Sequence, residues 1–389
     1  MPDDDPLAPR PFRTLNQFSE PSMPADETFQ RLFDRARNLL AQTKPDEPLV
    51  DATHLGRATT ERLDDIVPPP PWQPVLRDLA LSYAEWLAGP EAGSRVQVVT
   101  LPPGGRGLID AWTRAQDLRV IEAPNRTLLV NDPSPPAPDL TGEDVLVVPH
   151  LEDWFLRDAG GLDTIRALLS AIAEAERPVF VGCDSWAWAY LSKAADAAVL
   201  LPKPYTFQAY DGARLQAWFG ASTETVRARG TQFRRAENGD NVFETEEPPH
   251  EYFVRLAARS LGIPWVAWAL WRASISDPHP DEDAEAVPDI HDGDTFWIAP
   301  VPEPALPEGD RQSALLTLHA LLIHGGLSPR LLPRVLPSAD ADNVVPVLIE
   351  AGLVERVGMG ADMRLSVVPA AYPSVRAALG DAGLPRDGM

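Results

Sequence analysis

Short apolar runs alternating with helical patterns dominate the middle of the chain. Val96 to Leu101, Leu118 to Glu122, Thr127 to Val130, Asp144 to Val148, Pro178 to Gly182 and Ala197 to Leu201 read as strands. Between them, Leu108 to Ala115, Leu162 to Ala175 and Trp186 to Ala195 carry the spacing of amphipathic helices. Strands that are apolar throughout, joined by helices, imply a parallel sheet covered on both faces and hence an α/β core. Before the core, apolar positions from Phe29 to Leu40 and from Trp72 to Leu87 predict two helices, with the proline run 68–71 as a stiff spacer. After it, Asp211 to Phe219, Glu251 to Leu261 and Trp265 to Ile275 read as helices, and 222–250 as polar loop. Residues 312–324, 328–335 and 339–351 then predict three helices, and Leu353 to Val357 with Met363 to Val368 a hairpin turning at Gly358-Met359-Gly360.

Charge narrows the partners. The chain carries 57 acidic against 34 basic residues, a formal net charge of −23, so polyanionic nucleic acid and anionic membranes are disfavoured. No apolar stretch approaches the length of a membrane span, and no membrane insertion is expected. The single cysteine, Cys183, allows neither an internal disulfide nor a cysteine zinc site, which suits a reducing cytoplasm. The seven histidines show no two-ligand spacing on one helix, so no metal site is expected. Only three of the basic residues are lysines, Lys44, Lys193 and Lys203, and none follows a glycine-rich loop.

The first core strand runs into Leu101-Pro102-Pro103-Gly104-Gly105-Arg106-Gly107-Leu108 and then a helix. This loop resembles the GPPGxGKT phosphate loop of AAA/STAND ATPases, with Gly107 on the lysine and Leu108 on the Ser/Thr. The fourth run, Val145 to Val148, resembles the strand that ends in Asp-Glu in that family, with Pro149 and His150 on the acidic positions. Glu152 and Asp153 follow closely, either as displaced acids or as a polar cap of the next helix. Asp184, at the end of the next strand, is a remnant sensor or an N-cap. The segment Tyr252 to Arg272, with Gly262 and Pro264 between two helices, resembles the family's helical lid, where Arg259 or Arg272 would be a phosphate sensor or a solvated surface residue.

The resemblance implies a P-loop NTPase-like parallel sheet flanked by helices, a helical lid and a C-terminal winged helix. The expected boundaries are a disordered tail 1–27, a helical segment 28–94, the core 95–221, the lid 222–276, a linker 277–309 and the winged helix 310–389. It also implies a degenerate nucleotide position at Gly104, Gly105, Arg106, Gly107 and Leu108, without the groups that activate a magnesium-bound triphosphate. No catalytic residue is expected. ATP or ADP with magnesium remains the cofactor to test, since backbone amides at a helix start can still meet an anion. From Arg311 onward seven arginines meet seven acids, and the third helix carries Asp340, Asp342 and Glu350 without a cation, which argues against reading DNA. The expectation is therefore a non-catalytic regulatory or scaffolding protein acting through a protein partner or self-association. The alternatives are a divergent ATP-binding protein or weak ATPase, and a winged-helix transcription regulator.

Overall fold

A computed structural model of the chain describes residues 5–23, 56–57, 60–67, 72–89, 94–131, 138–245, 248–277, 294–300, 304–307, 309–337, 341–360 and 363–389. The expected helix at 29–40 and the proline spacer 68–71 lie outside them. Two compact units emerge, one made of residues 9–19, 75–208 and 303–389, the other of 1–8, 20–74 and 209–302.

The first unit is mixed α/β around a mostly parallel sheet. Its strands are β1 (Arg13–Thr14), β2 (Val96–Leu101), β3 (Arg119–Val120), β4 (Leu146–Val148), β5 (Val179–Asp184) and β6 (Tyr205–Thr206), in the spatial order β1-β6-β2-β5-β4-β3. All neighbours run parallel except β1, which pairs antiparallel with β6. Every residue of β4 and β5 is buried, as strands covered on both faces must be. On one face Val179, Val181 and Cys183 pack with Leu168, Ile172 and Leu191. On the other, Phe180 meets Trp112 at 4.5 Å and Tyr83 at 5.1 Å between ring centroids. From β2 the chain crosses to β3 at the far edge, returns through β4 and β5, and then passes to β6 on the other side of β2. Connections thus leave β2 and β5 in opposite directions, which opens a crevice at their carboxyl ends.

Several expected elements differ. Thr127 to Val130 belongs to the helix Arg126–Asn131, because the Asn125 side chain accepts the Thr127 amide at 2.9 Å and starts a helical turn. Ala197 to Leu201 is not a strand: Asp196 turns into the left-handed region at φ 56°, a short helix Ala197–Leu200 follows, and the strand falls at β6. Residues 13–14, expected within a disordered tail, close the sheet edge as β1, with the Phe12 amide donating to Ser82 Oγ at 2.7 Å.

The same unit holds the C-terminal elements in the expected order: helices Arg311–Ile323, Leu332–Val335 and Ala341–Glu350, then strands Val354–Val357 and Arg364–Val367 pairing antiparallel. Leu327 bridges Leu365 through two backbone hydrogen bonds of 3.0 and 2.7 Å. A further helix, Tyr372–Asp381, follows the hairpin.

In the second unit the helices Gly212–Ser222, Glu251–Arg259 and Pro264–Ser274 accompany a four-stranded sheet. The turn expected between the last two helices is present, with Leu261 and Gly262 both left-handed and Pro264 opening the next helix. Trp268 and Trp271 are core residues, the first edge to face with Phe219 at 4.8 Å and the second stacked on it at 4.6 Å. The segments expected as loop and linker contain strands Gln232–Arg235 and Thr295–Ile298, which pair parallel with each other. Among the described residues no helix is long and apolar enough to cross a membrane.

Candidate functional site

Pro102 to Gly105 turns tightly where β2 ends. Gly104 is left-handed at φ 90°, and the Gly105 amide donates to Pro102 O at 3.2 Å. The Leu108 amide donates to Gly105 O at 3.0 Å as the helix Arg106–Ala115 begins. Two of the loop amides that would greet an anion thus serve the turn itself. Leu108, at the position where a magnesium-holding hydroxyl is expected, is fully buried in the core with Ile109 and Trp112. Gly107 offers no side chain.

Arg106 fills the place in front of the loop and reaches across to the end of β4. Its guanidinium donates to Glu152 Oε1 at 3.2 Å, to Asp153 Oδ1 at 3.1 Å and, through a second nitrogen, to Asp153 Oδ2. Glu152 and Asp153 therefore lie at the crevice, and the reading of them as caps of the helix near Leu162 does not hold. They sit in a short 3-10 helix, Leu151–Trp154, directly after β4. Glu152 is buried, and its Oε2 accepts the Asp184 amide at 3.0 Å. The Asp184 side chain accepts the Trp186 amide at 2.9 Å and caps the helix Ser185–Ala194, so its sensor position is spent on capping. Burial and then the Glu152 charge push the Asp184 carboxyl well above its ordinary range.

Two groups that sequence reasoning missed, Asp110 and Arg126, complete the cluster together with His150. His150 Nε2 lies 2.8 Å from Asp110 Oδ1 and its Nδ1 3.5 Å from Glu152 Oε1. Burial works against its charge, but the two carboxylates prevail and raise the imidazole to about 9. Asp153 is held down at about 2: burial would raise it, and the Arg126 and Arg106 charges overcome that. Arg126 Nη2 is 3.1 Å from Asp153 Oδ1, and its guanidinium also donates to three carbonyls, Glu152 O at 2.7 Å, Gly326 O at 2.7 Å and His324 O at 2.5 Å. Through Arg126 the loop after helix Arg311–Ile323 is drawn over the crevice. A Cβ added at Gly325 would stand 3.1 Å from Glu152 Cγ and 3.5 Å from Arg106 Nη1. Arg126 and Asp110 carry no local signal, because their partners stand 26 to 200 positions away along the chain.

The C-terminal elements are tied to the same end of the sheet elsewhere. His324 stacks on Phe155 at 5.0 Å, accepts the Arg157 amide at Nε2 and turns Nδ1 to Ala320 O at 2.7 Å. Ser185 Oγ and Tyr372 OH donate to the buried Asp387 carboxylate at 2.7 and 3.0 Å, and Arg376 Nε joins at 3.0 Å. Cys183 is buried with its thiol pushed well up by burial, consistent with a packed rather than reactive sulfur.

The two lid arginines belong to the second unit. Arg272 is in the second unit, committed to Val67 O at 2.7 Å and Asp64 at 2.6 Å, and Arg259 lies there too, in the last turn of helix Glu251–Arg259. Among the described residues no group of three or more acidic, histidine or cysteine side chains is arranged to hold a metal ion.

The fold and site together describe an α/β protein with a loop-to-helix turn at the carboxyl edge of a parallel sheet, filled by an internal ion-pair cluster. No protein-family model and no curated protein sequence matches the chain. Similar solved structures include a RuvB variant from Thermotoga maritima, at 16% identity and a TM-score of 0.31, covering 83% of this chain and 98% of that one. Cdc6p from Pyrobaculum aerophilum is similar at 12% identity and a TM-score of 0.26, covering 86% and 99%. The Aeropyrum pernix ORC1 protein in complex with DNA is similar at 16% identity and a TM-score of 0.25, covering 96% and 97%. Likenesses this slight carry no functional argument, which rests on the residues themselves.

Proposed function

We propose that this chain is a non-catalytic regulatory or scaffolding protein built on a degenerate AAA/STAND-type core, with residues 310–389 as a winged helix that serves protein contacts. The observation that carries the reading is the occupation of the crevice by the Arg106 guanidinium, bound to Glu152 and Asp153. A nucleotide's phosphates need uncompensated positive charge and free donors. Here three cations, Arg106, Arg126 and protonated His150, face three anions, Glu152, Asp153 and Asp110. The cluster is balanced without a ligand. The hydroxyl that would help hold magnesium is replaced by a core leucine, and the acid that would orient a water, Glu152, is itself bound to an arginine and a backbone amide. The docking of the C-terminal elements over the same edge supports a role in which the fold presents surfaces rather than turning over substrate.

Titration calorimetry with ATP and magnesium tests the proposal. No heat is expected up to about 1 mM nucleotide, the range of binding weaker than about −4 kcal/mol, together with no phosphate release above background. Saturable binding with turnover that disappears in Glu152→Gln would establish the divergent ATPase instead.

A further inference from the structure

The two acids of the cluster are held differently. Both Glu152 oxygens face inward, toward Arg106, His150 and the Asp184 amide, and the side chain is 1% exposed. Asp153 meets guanidinium groups: Arg106 forks onto both of its oxygens and Arg126 reaches Oδ1 from the side. Its side chain is 24% exposed and that of Arg106 25%, so the node opens to water along one edge. Two arginines converging on an anion beside a helix start is the arrangement by which proteins seize tetrahedral oxyanions. Here the chain supplies the anion.

Resting on the non-catalytic reading of this crevice, we infer that the Asp153 carboxylate is a built-in ligand of an oxyanion site formed by Arg106 and Arg126, and that the site takes free phosphate once that carboxylate is removed. Without Asp153 three cations would face Glu152 and Asp110 alone. Arg126, buried among carbonyl groups, would lose the carboxylate it pairs with directly. A free tetrahedral anion entering from the open edge would restore both the balance and the fork geometry. In the intact protein the tethered carboxylate wins, because its effective concentration far exceeds that of a dissolved competitor.

Thermal unfolding of the full chain, followed by circular dichroism at pH 7 in sodium phosphate or in sodium chloride of equal ionic strength, tests the inference. Asp153→Ala should melt about 3 °C or more higher in about 50 mM phosphate than in chloride. The unchanged protein and the double variant Asp153→Ala with Arg106→Gln should show no such gain. If Asp153→Ala is unfolded in chloride, its folded fraction in phosphate gives the same reading. Equal behaviour of Asp153→Ala in the two salts overturns the inference, as does an equal gain in the double variant. Neither result touches the proposed function, which falls only if the unchanged protein binds and hydrolyses ATP.

Discussion

At the scale of single residues, opposite histidine environments set the pH response. His150 is held charged by Asp110 and Glu152 up to about 9, whereas burial and the Arg157 charge keep His319 neutral down to about 4, and burial with the Arg126 charge holds His324 well below its ordinary range. An unfolded histidine titrates near 6.5. Above that value the unfolded chain releases a proton that folded His150 retains, so its contribution is complete below 6.5 and is lost as pH rises toward 9. Below 6.5 the unfolded chain gains protons that folded His319 and His324 refuse, so stability also falls toward pH 4. Melting temperature should therefore peak near pH 6.5, and His150→Gln should flatten the alkaline side while leaving the acid side. An alkaline side unchanged in that variant would show that His150 does not carry it. The resemblance already drew attention to position 150, but as an absent acid. Its charge depends on Asp110, 40 positions away, and no local pattern announces that pairing.

At the scale of elements, the arginine on the short helix Arg126–Asn131 joins the core to the C-terminal loop 324–326. Replacing Arg126 with alanine leaves three carbonyls without their donor and should cost about 3 kcal/mol. Hydrogen exchange should quicken most in helix Arg311–Ile323 and the adjoining strand Arg364–Val367; unaltered protection there would mean that other contacts hold these elements. Elements marked by a long apolar run, such as β2, β5 and the helix 311–323, or by a clear helical spacing, such as the helix 163–174, were legible because burial alone decides them. The segment 127–130 was not, since its apolar run suits a strand and the side chain of Asn125 tips it to helix. Two-residue strands such as β1 and β6 carry no period and depend on the sheet they complete. The loop at 102–108 was legible as a tight turn between a strand and a helix, whereas the cluster beside it needed tertiary proximity.

At the scale of the whole molecule, a net charge of −23 disfavours nucleic acid, and the seven arginines from Arg311 onward, matched by seven acids, do not offset it. Anisotropy of a labelled DNA duplex should stay flat at low ionic strength; a signal that rises and is then suppressed by salt would revive the transcription-regulator reading. The first unit is also assembled from three separate stretches of chain, 9–19, 75–208 and 303–389. During synthesis the parallel strands emerge well before the residues that bind Arg126, Ser185 and Trp186, so the end of the sheet stays uncovered until His324, Tyr372 and Asp387 have left the ribosome. A truncation that looks harmless because it spares every strand of the sheet would take from Arg126 two of its carbonyl acceptors and from Ser185 and Trp186 theirs, and a premature stop late in the message would then yield a product that cells clear rather than a shorter working protein.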